Sequence, residues 1–135
     1  MKTGLKGEIE VFIDGWHWDE PSEQLAFELG KFLFSFISYL EEQKLSDKTV
    51  KTHVENIRFI GLFEMSYGFR DEFDPENLED GPNYEYEYDR KVSNSKYAIK
   101  AYEATWRKLD KFIKSGEYEG YLAKIEGRLM AESKG

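Results

Sequence analysis

The fold is decided by residues 22–44, which read SEQLAFELGKFLFSFISYLEEQK. Six polar residues recur there at steps of three and four and form one narrow stripe: Gln24, Glu28, Lys31, Ser35, Ser38 and Glu42. Large apolar residues cover most of the remaining surface, which predicts a central helix packed on several sides. Phe27 and Phe34, at the edge of the apolar face, could also reach an interface with another chain.

Three further helices are predicted around this central one. Pro21 suits its first turn, with Asp19 or Glu20 as the cap. A second helix should begin after Ser46, a favourable N-cap residue, and run to about residue 67. A third should begin after Ser93 or Asn94, and the remaining helix boundaries are expected near residues 114, 118 and 134. The sequence therefore predicts a mainly α protein built as a four-helix bundle.

Two segments are predicted to lie outside the helices. Residues 8–14 alternate, with Ile9, Val11 and Ile13 on one face, so we expect a short N-terminal strand or extended arm. Residues 70–92 contain two prolines and an acidic run, and we expect a long acidic loop. The alternative is that residues 84–88 form a second strand. We thus expect one domain over 1–135, with an arm or strand at 1–20 and the bundle at 21–134.

Composition excludes several classes of protein. The chain has 135 residues, of which 40% are hydrophobic and 16% aromatic, so collagen-like, low-complexity and wholly disordered chains are excluded. It has no cysteine, which excludes disulfide scaffolds, thiolate zinc sites and thiol nucleophiles. We expect no membrane partner, because the longest apolar stretch is interrupted by charges. Since no basic and apolar leader opens the chain, we expect a cytoplasmic protein.

Charge is distributed very unevenly. The formal net charge is −8 at pH 7, yet residues 71–89 hold nine acids and no base, while residues 90–114 hold eight bases against two acids. One interpretation is a solvated loop followed by a solvated helix face. Two others are that the acidic segment covers the basic face, or that one of the segments recruits a partner.

Two groups of residues are candidates for binding. The candidate DNA-binding residues lie on the outward faces of the second and third predicted helices: Lys48, Lys51, Arg58, Lys96, Lys100, Arg107, Lys111 and Lys114. The candidate partner-binding residues are aromatic: Trp16, Trp18, Tyr84, Tyr86 and Tyr88. The alternatives are a solubilising basic face, indoles that anchor the chain on the core, and tyrosines on the inner side of an edge strand.

Catalytic and metal-binding motifs are not found in the sequence. The two histidines, His17 and His53, are far apart in sequence and lack zinc-ligand spacing, and His53 lies at the border of an apolar helix face. The acids of 71–89 lack the order of a calcium-binding loop. We therefore expect no catalytic residue, metal or cofactor, and not an enzyme.

Residues 32–57 carry a resemblance, which covers about residues 25–114 and is looser after residue 66, to the N-terminal core-binding domain of phage-integrase-type tyrosine recombinases. The similarity covers a helix end, a short loop and the next helix: Phe36, Tyr39, Leu40, Leu45, Ser46, Thr49, Val50, Val54 and Ile57. It implies a small SAM-like four-helix bundle that clamps DNA opposite a catalytic domain. These 135 residues do not include that catalytic domain, so the resemblance implies no strand cleavage. The acidic run at 71–89 departs from the family pattern and would repel phosphates.

The expected function is that of a non-enzymatic binding or adaptor protein, which acts on a protein partner or through self-association. The alternative is a DNA-binding accessory factor that uses the basic faces of the second and third predicted helices.

Overall fold

The computed structural model describes residues 4–68 and 70–134. Over these ranges the chain forms six α-helices: α1 Gly4–Phe12, α2 Glu20–Glu42, α3 Asp47–Tyr67, α4 Glu85–Lys91, α5 Lys96–Lys114 and α6 Tyr118–Lys134. One 3-10 turn spans Pro75–Leu78, and the described residues contain no strand. The expected mainly α bundle is confirmed. No helix in these ranges is long and apolar enough to cross a membrane.

Helix α2 occupies the centre of the bundle, as predicted from the apolar residues that cover most of its surface. It packs against α1, α3 and α6, and Phe32, Leu33 and Phe36 are fully buried. Its start is fixed by a reciprocal cap. Ser22 N donates to the Asp19 carboxylate over 2.9 Å, and Asp19 N donates to Ser22 Oγ over 3.0 Å.

Helices α3 and α5 begin at serine caps and pack against each other. Ser46 Oγ accepts from Thr49 N over 3.1 Å, so the predicted cap of α3 is confirmed. Ser95 Oγ accepts from Ala98 N over 3.0 Å, which places the start of α5 within two residues of its predicted position.

The predicted N-terminal strand is wrong, because residues 4–12 form α1. Leu5, Ile9, Phe12 and Ile13 are buried at helical spacing, whereas Val11 is 65% exposed. The apparent alternation therefore combined two buried residues with one exposed residue. A helix satisfies its own backbone hydrogen bonds, while an isolated strand needs a neighbour that the described residues do not supply.

The acidic segment is not one long loop, and residues 84–88 are not a strand. Leu78 in the 3-10 turn is fully buried, and Tyr88 of α4 stacks on Tyr102 of α5 with ring centroids 4.3 Å apart. Tyr84 and Tyr88, four residues apart, turn towards α3 and α5, while Tyr86 is 68% exposed. Burial of residues one helical turn apart, rather than a period of two, explains the tyrosine pattern.

Candidate partner-binding groove

A groove of about 1040 Å³ lies between α1, the first turns of α2 and residues 71–73. We call it the α1–α2 groove. Its apolar lining consists of Ile13, Pro21, Leu25, Phe27 and Phe73. Phe27 and Leu25 are half-buried, so part of each side chain faces the groove. Phe73 is held from behind by Phe32, with ring centroids 5.2 Å apart.

The rim of the α1–α2 groove is acidic. Its carboxylates belong to three segments of the chain: Glu10, Glu23, Glu28, Asp71 and Glu72. Against these five carboxylates, the groove lining formed by the described residues contains one lysine, Lys6. His17 Nδ1 lies 3.8 Å from Glu23 Oε2. The rim therefore presents an excess of negative charge above an apolar floor.

Lys31 neutralises one of these carboxylates. Its Nζ lies 2.8 Å from Glu28 Oε2 and 3.2 Å from Glu126 Oε2 of α6. Burial lowers the pKa of Lys31, but hydrogen bonds to the two carboxylates outweigh it and raise the pKa above its ordinary value. Lys31 thus stays charged and joins α2 to α6 beside the groove.

The connection between α1 and α2 sends its two indoles to different environments. Gly15, with a φ of +86°, turns the chain after α1. Trp16 is 5% exposed and packs edge-on to Phe12, with ring centroids 5.3 Å apart. Trp18 is 69% exposed, and its backbone N donates to Ser22 Oγ over 2.9 Å. Trp18 is therefore a surface residue, next in sequence to the groove residue His17, while Trp16 belongs to the core.

The three tyrosines singled out from the sequence lie elsewhere, on and before α4. Tyr84 Oη donates to Glu64 Oε1 over 2.6 Å, and Glu64 Oε2 also accepts from Arg70 Nε over 2.9 Å. Burial, with the hydrogen bond to Glu64, raises the pKa of Tyr84 well above its ordinary value. Tyr86 keeps an exposed ring with the Arg90 guanidinium 5.4 Å from its centroid.

The eight basic candidates lie in different environments. Lys96, Lys100, Arg107 and Lys111 are exposed on α5, and Lys48 and Lys51 are exposed on α3. Arg58 lies over the ring of Phe12 at 5.9 Å. Lys114 pairs with Asp80 and, over 3.2 Å, with Asp110. Those hydrogen bonds raise the pKa of Lys114. The acidic segment thus touches the basic helix at Lys114.

Sequence reasoning missed a buried polar cluster between α3 and α5. His53 Nδ1 lies 2.6 Å from Thr105 Oγ1, and Asn56 Nδ2 donates to the same oxygen over 3.1 Å. Thr105 Oγ1 in turn donates to the carbonyl of Ala101 over 3.1 Å. Because the hydroxyl proton of Thr105 is used in this bond, Thr105 Oγ1 must accept from both His53 and Asn56. Nδ1 is therefore the protonated nitrogen of a neutral His53. Asn56 and Thr105 at core-facing positions were the available signal.

Burial, reinforced by the positive charge of Lys108, lowers the pKa of His53 below its ordinary value. The cluster is therefore built to hold a neutral ring and to join α3 to α5. Within residues 4–68 and 70–134, no three His, Asp or Glu side chains are grouped so that they could hold a metal ion.

Comparison of the chain with models of protein families, with curated proteins and with solved structures gave no match. The candidate site therefore stands on the geometry and chemistry of this chain.

Proposed function

We propose that this protein is a non-enzymatic binding or adaptor module and that the α1–α2 groove is its partner-binding surface. The observation that carries the proposal is a half-buried apolar floor, formed around Phe27 and Phe73, that lies within an acidic rim. Aromatic side chains in such partly open pockets are the usual anchors of protein interfaces.

A partner would gain free energy by covering this apolar surface. Leu25, Phe27 and Phe73 are held in place from the core side, so little side-chain entropy would be lost when a partner covers them. A docking segment that covered all three side chains would bury them more fully than this chain alone does.

We further propose a distant relation to the core-binding module of tyrosine recombinases, with a SAM-like arrangement of the four long helices. The support is the resemblance at Phe36, Tyr39 and Leu40, followed by the Ser46 cap of α3. Helices α1 and α4 are additions to that four-helix pattern. On this proposal the additions matter most, because α1 and residues 71–73 line the groove.

A second candidate is a DNA-binding accessory factor. It is favoured by the exposed bases of α5, Lys96, Lys100, Arg107 and Lys111, and by Tyr97, which is 78% exposed on the same helix. An electrophoretic shift of duplex DNA at low salt tests it. Binding that disappears when these four bases are changed to glutamine supports this candidate, and no shift at tens of micromolar protein, about 10–100 μM, contradicts it.

Selection from a random peptide library tests the proposed groove. Peptides recovered on the wild-type protein are then measured on two groove variants, Phe27→Gln, which removes an anchor, and Gln24→Trp, which fills the groove from an exposed position. Tyr97→Gln, on the outward side of α5, is the matched control, and circular dichroism verifies the fold of each variant.

The proposal predicts that selected peptides lose binding on both groove variants and keep it on Tyr97→Gln. Failure to recover a binder, or binders that tolerate both groove variants, would contradict it.

A further inference from the structure

Resting on the proposed function, we infer that the α1–α2 groove takes a basic amphipathic segment of a partner protein, whose apolar side chains meet the floor and whose lysines or arginines meet the rim. A groove alone does not indicate the chemistry of its occupant, whereas the apolar floor and the acidic rim of this groove do.

The floor requires an occupant with apolar side chains. Phe27, Leu25 and Phe73 present hydrocarbon to the groove, and the buried Ile13 closes its base. A purely ionic ligand, such as a polyamine or a metal ion, has no apolar side chain with which to cover this hydrocarbon surface. The surface would therefore stay in contact with water. A peptide segment with spaced apolar residues covers it.

The rim requires that the same occupant be cationic. Glu23 and Glu28 from α2 and Asp71 and Glu72 from the segment after α3 all line the groove, and all four are exposed. Lys31 shares its charge between Glu28 and Glu126, which leaves Glu23, Asp71 and Glu72 as the carboxylates best placed for a partner. Phosphate-bearing ligands, nucleic acid among them, would be repelled here.

The charge of the whole chain acts in the same direction. A net charge of −8 attracts a basic segment from a distance and raises its association rate, and this contribution declines with added salt. The effect of the rim carboxylates on affinity can therefore be distinguished from the effect of net charge by comparing variants that change net charge equally inside and outside the groove.

The test uses two fluorescent peptides with identical leucine and phenylalanine positions at helical spacing. One carries lysines on its polar face and the other carries glutamates. Anisotropy titrations measure the affinity of the full chain for each. The groove variant combines Glu23→Gln, Asp71→Asn and Glu72→Gln. The control variant combines Glu41→Gln, Asp89→Asn and Glu119→Gln, which changes net charge equally at exposed positions outside the groove lining.

We expect the lysine peptide to bind at least about tenfold more tightly than the glutamate peptide. The groove variant should weaken the lysine peptide about tenfold, and the control variant less than about twofold, because distant exposed charges are screened. Binding of the lysine peptide should also be blocked by Gln24→Trp.

Four results would overturn the inference. The first is equal binding of the two peptides, and the second is a lysine peptide indifferent to the groove variant. In either case, loss of peptide binding in the Gln24→Trp variant would still identify the groove as a binding surface, and the proposed function would stand. The third is a wild-type dimer, seen by sedimentation, that Gln24→Trp dissociates, since a second copy of the chain would then be the occupant. Failure of both peptides also overturns it, and the library selection then decides the proposed function separately.

Discussion

The indole of Trp16 lies directly against the backbone of Gly61 in α3. A Cβ atom at position 61 would stand 2.0 Å from Trp16 Cη2, so no other residue leaves room for the ring in this position. Trp16 also packs on Phe12 at the end of α1, with ring centroids 5.3 Å apart. This contact fixes the connection between α1 and α2 that carries His17 to the α1–α2 groove.

Gly61→Ala should therefore lower the free energy of unfolding by about 1–3 kcal/mol, because the buried indole must move. The matched control is Gly127→Ala in α6, where an added Cβ meets nothing within 4 Å. That change should raise stability by up to about 1 kcal/mol through helix propensity. Urea denaturation measures both, and a Gly61→Ala protein as stable as wild type would contradict the close contact.

Thr105→Val should destabilise the protein by about 1–3 kcal/mol, since the valine leaves His53 and Asn56 without their common acceptor. The same exchange at Thr52, whose half-buried hydroxyl donates to the Lys48 carbonyl within α3, should change stability by less than about 0.5 kcal/mol. Equal effects at the two sites in chemical denaturation would argue that the cluster between α3 and α5 has no special role.

The lowered pKa of His53 predicts a pH dependence of stability. The unfolded chain binds a proton at this ring more readily than the folded chain, so acid favours unfolding. The contribution of His53 is complete above the ordinary histidine pKa of about 6.5 and declines as the pH falls below it. Unfolding free energies should therefore fall between about pH 7.5 and pH 5.5, more steeply in wild type than in His53→Gln. Parallel pH profiles for the two proteins would refute the buried neutral ring.

Tyr84→Phe should loosen the segment between α3 and α4, because the phenol donates to the buried carboxylate of Glu64. We expect a loss of about 0.5–1.5 kcal/mol and faster proteolysis within residues 70–84. Tyr86→Phe is the control, since Tyr86 is 68% exposed and its ring contact with Arg90 survives the change. If limited proteolysis cuts both variants at the same rate, the hydrogen bond to Glu64 does not hold this segment.

The central helices could be predicted because their signals are local. The polar stripe of α2, the Asp19 cap and the Ser46 cap each lie within a few residues of the feature that they define. Such signals are unaffected by what the rest of the chain does. The spacing also placed Phe27 at the edge of the apolar face of α2, and Phe27 lies in the groove.

The N-terminal helix could not be predicted, because its short segment fits two periods. Ile9 and Ile13 serve an alternating pattern and a helical one equally well, and residues from distant parts of the chain decide between them. Leu5 N donates to both carboxylate oxygens of Glu132 in α6, over 2.9 and 3.1 Å. A contact that spans 127 positions leaves no local mark in the sequence.

The groove also could not be predicted from the sequence, although the acidic run and the position of Phe27 could. The acidic run is evident from charge alone, yet nothing local indicates that Asp71 and Glu72 line the same groove as Glu23. Phe73 resembles an ordinary loop residue until its ring meets Phe32 of α2. The site therefore depends on tertiary packing of α1, α2 and the segment after α3.

Amide and indole chemical-shift mapping tests the central claim most directly. The isotope-labelled chain is titrated with the lysine peptide, or with a peptide recovered by selection, and the perturbed resonances are placed on the structure. Our account predicts saturable shifts confined to the end of α1, residues 16–28 and residues 71–73. Shifts centred on the basic face of α5, or scattered without saturation, would contradict it.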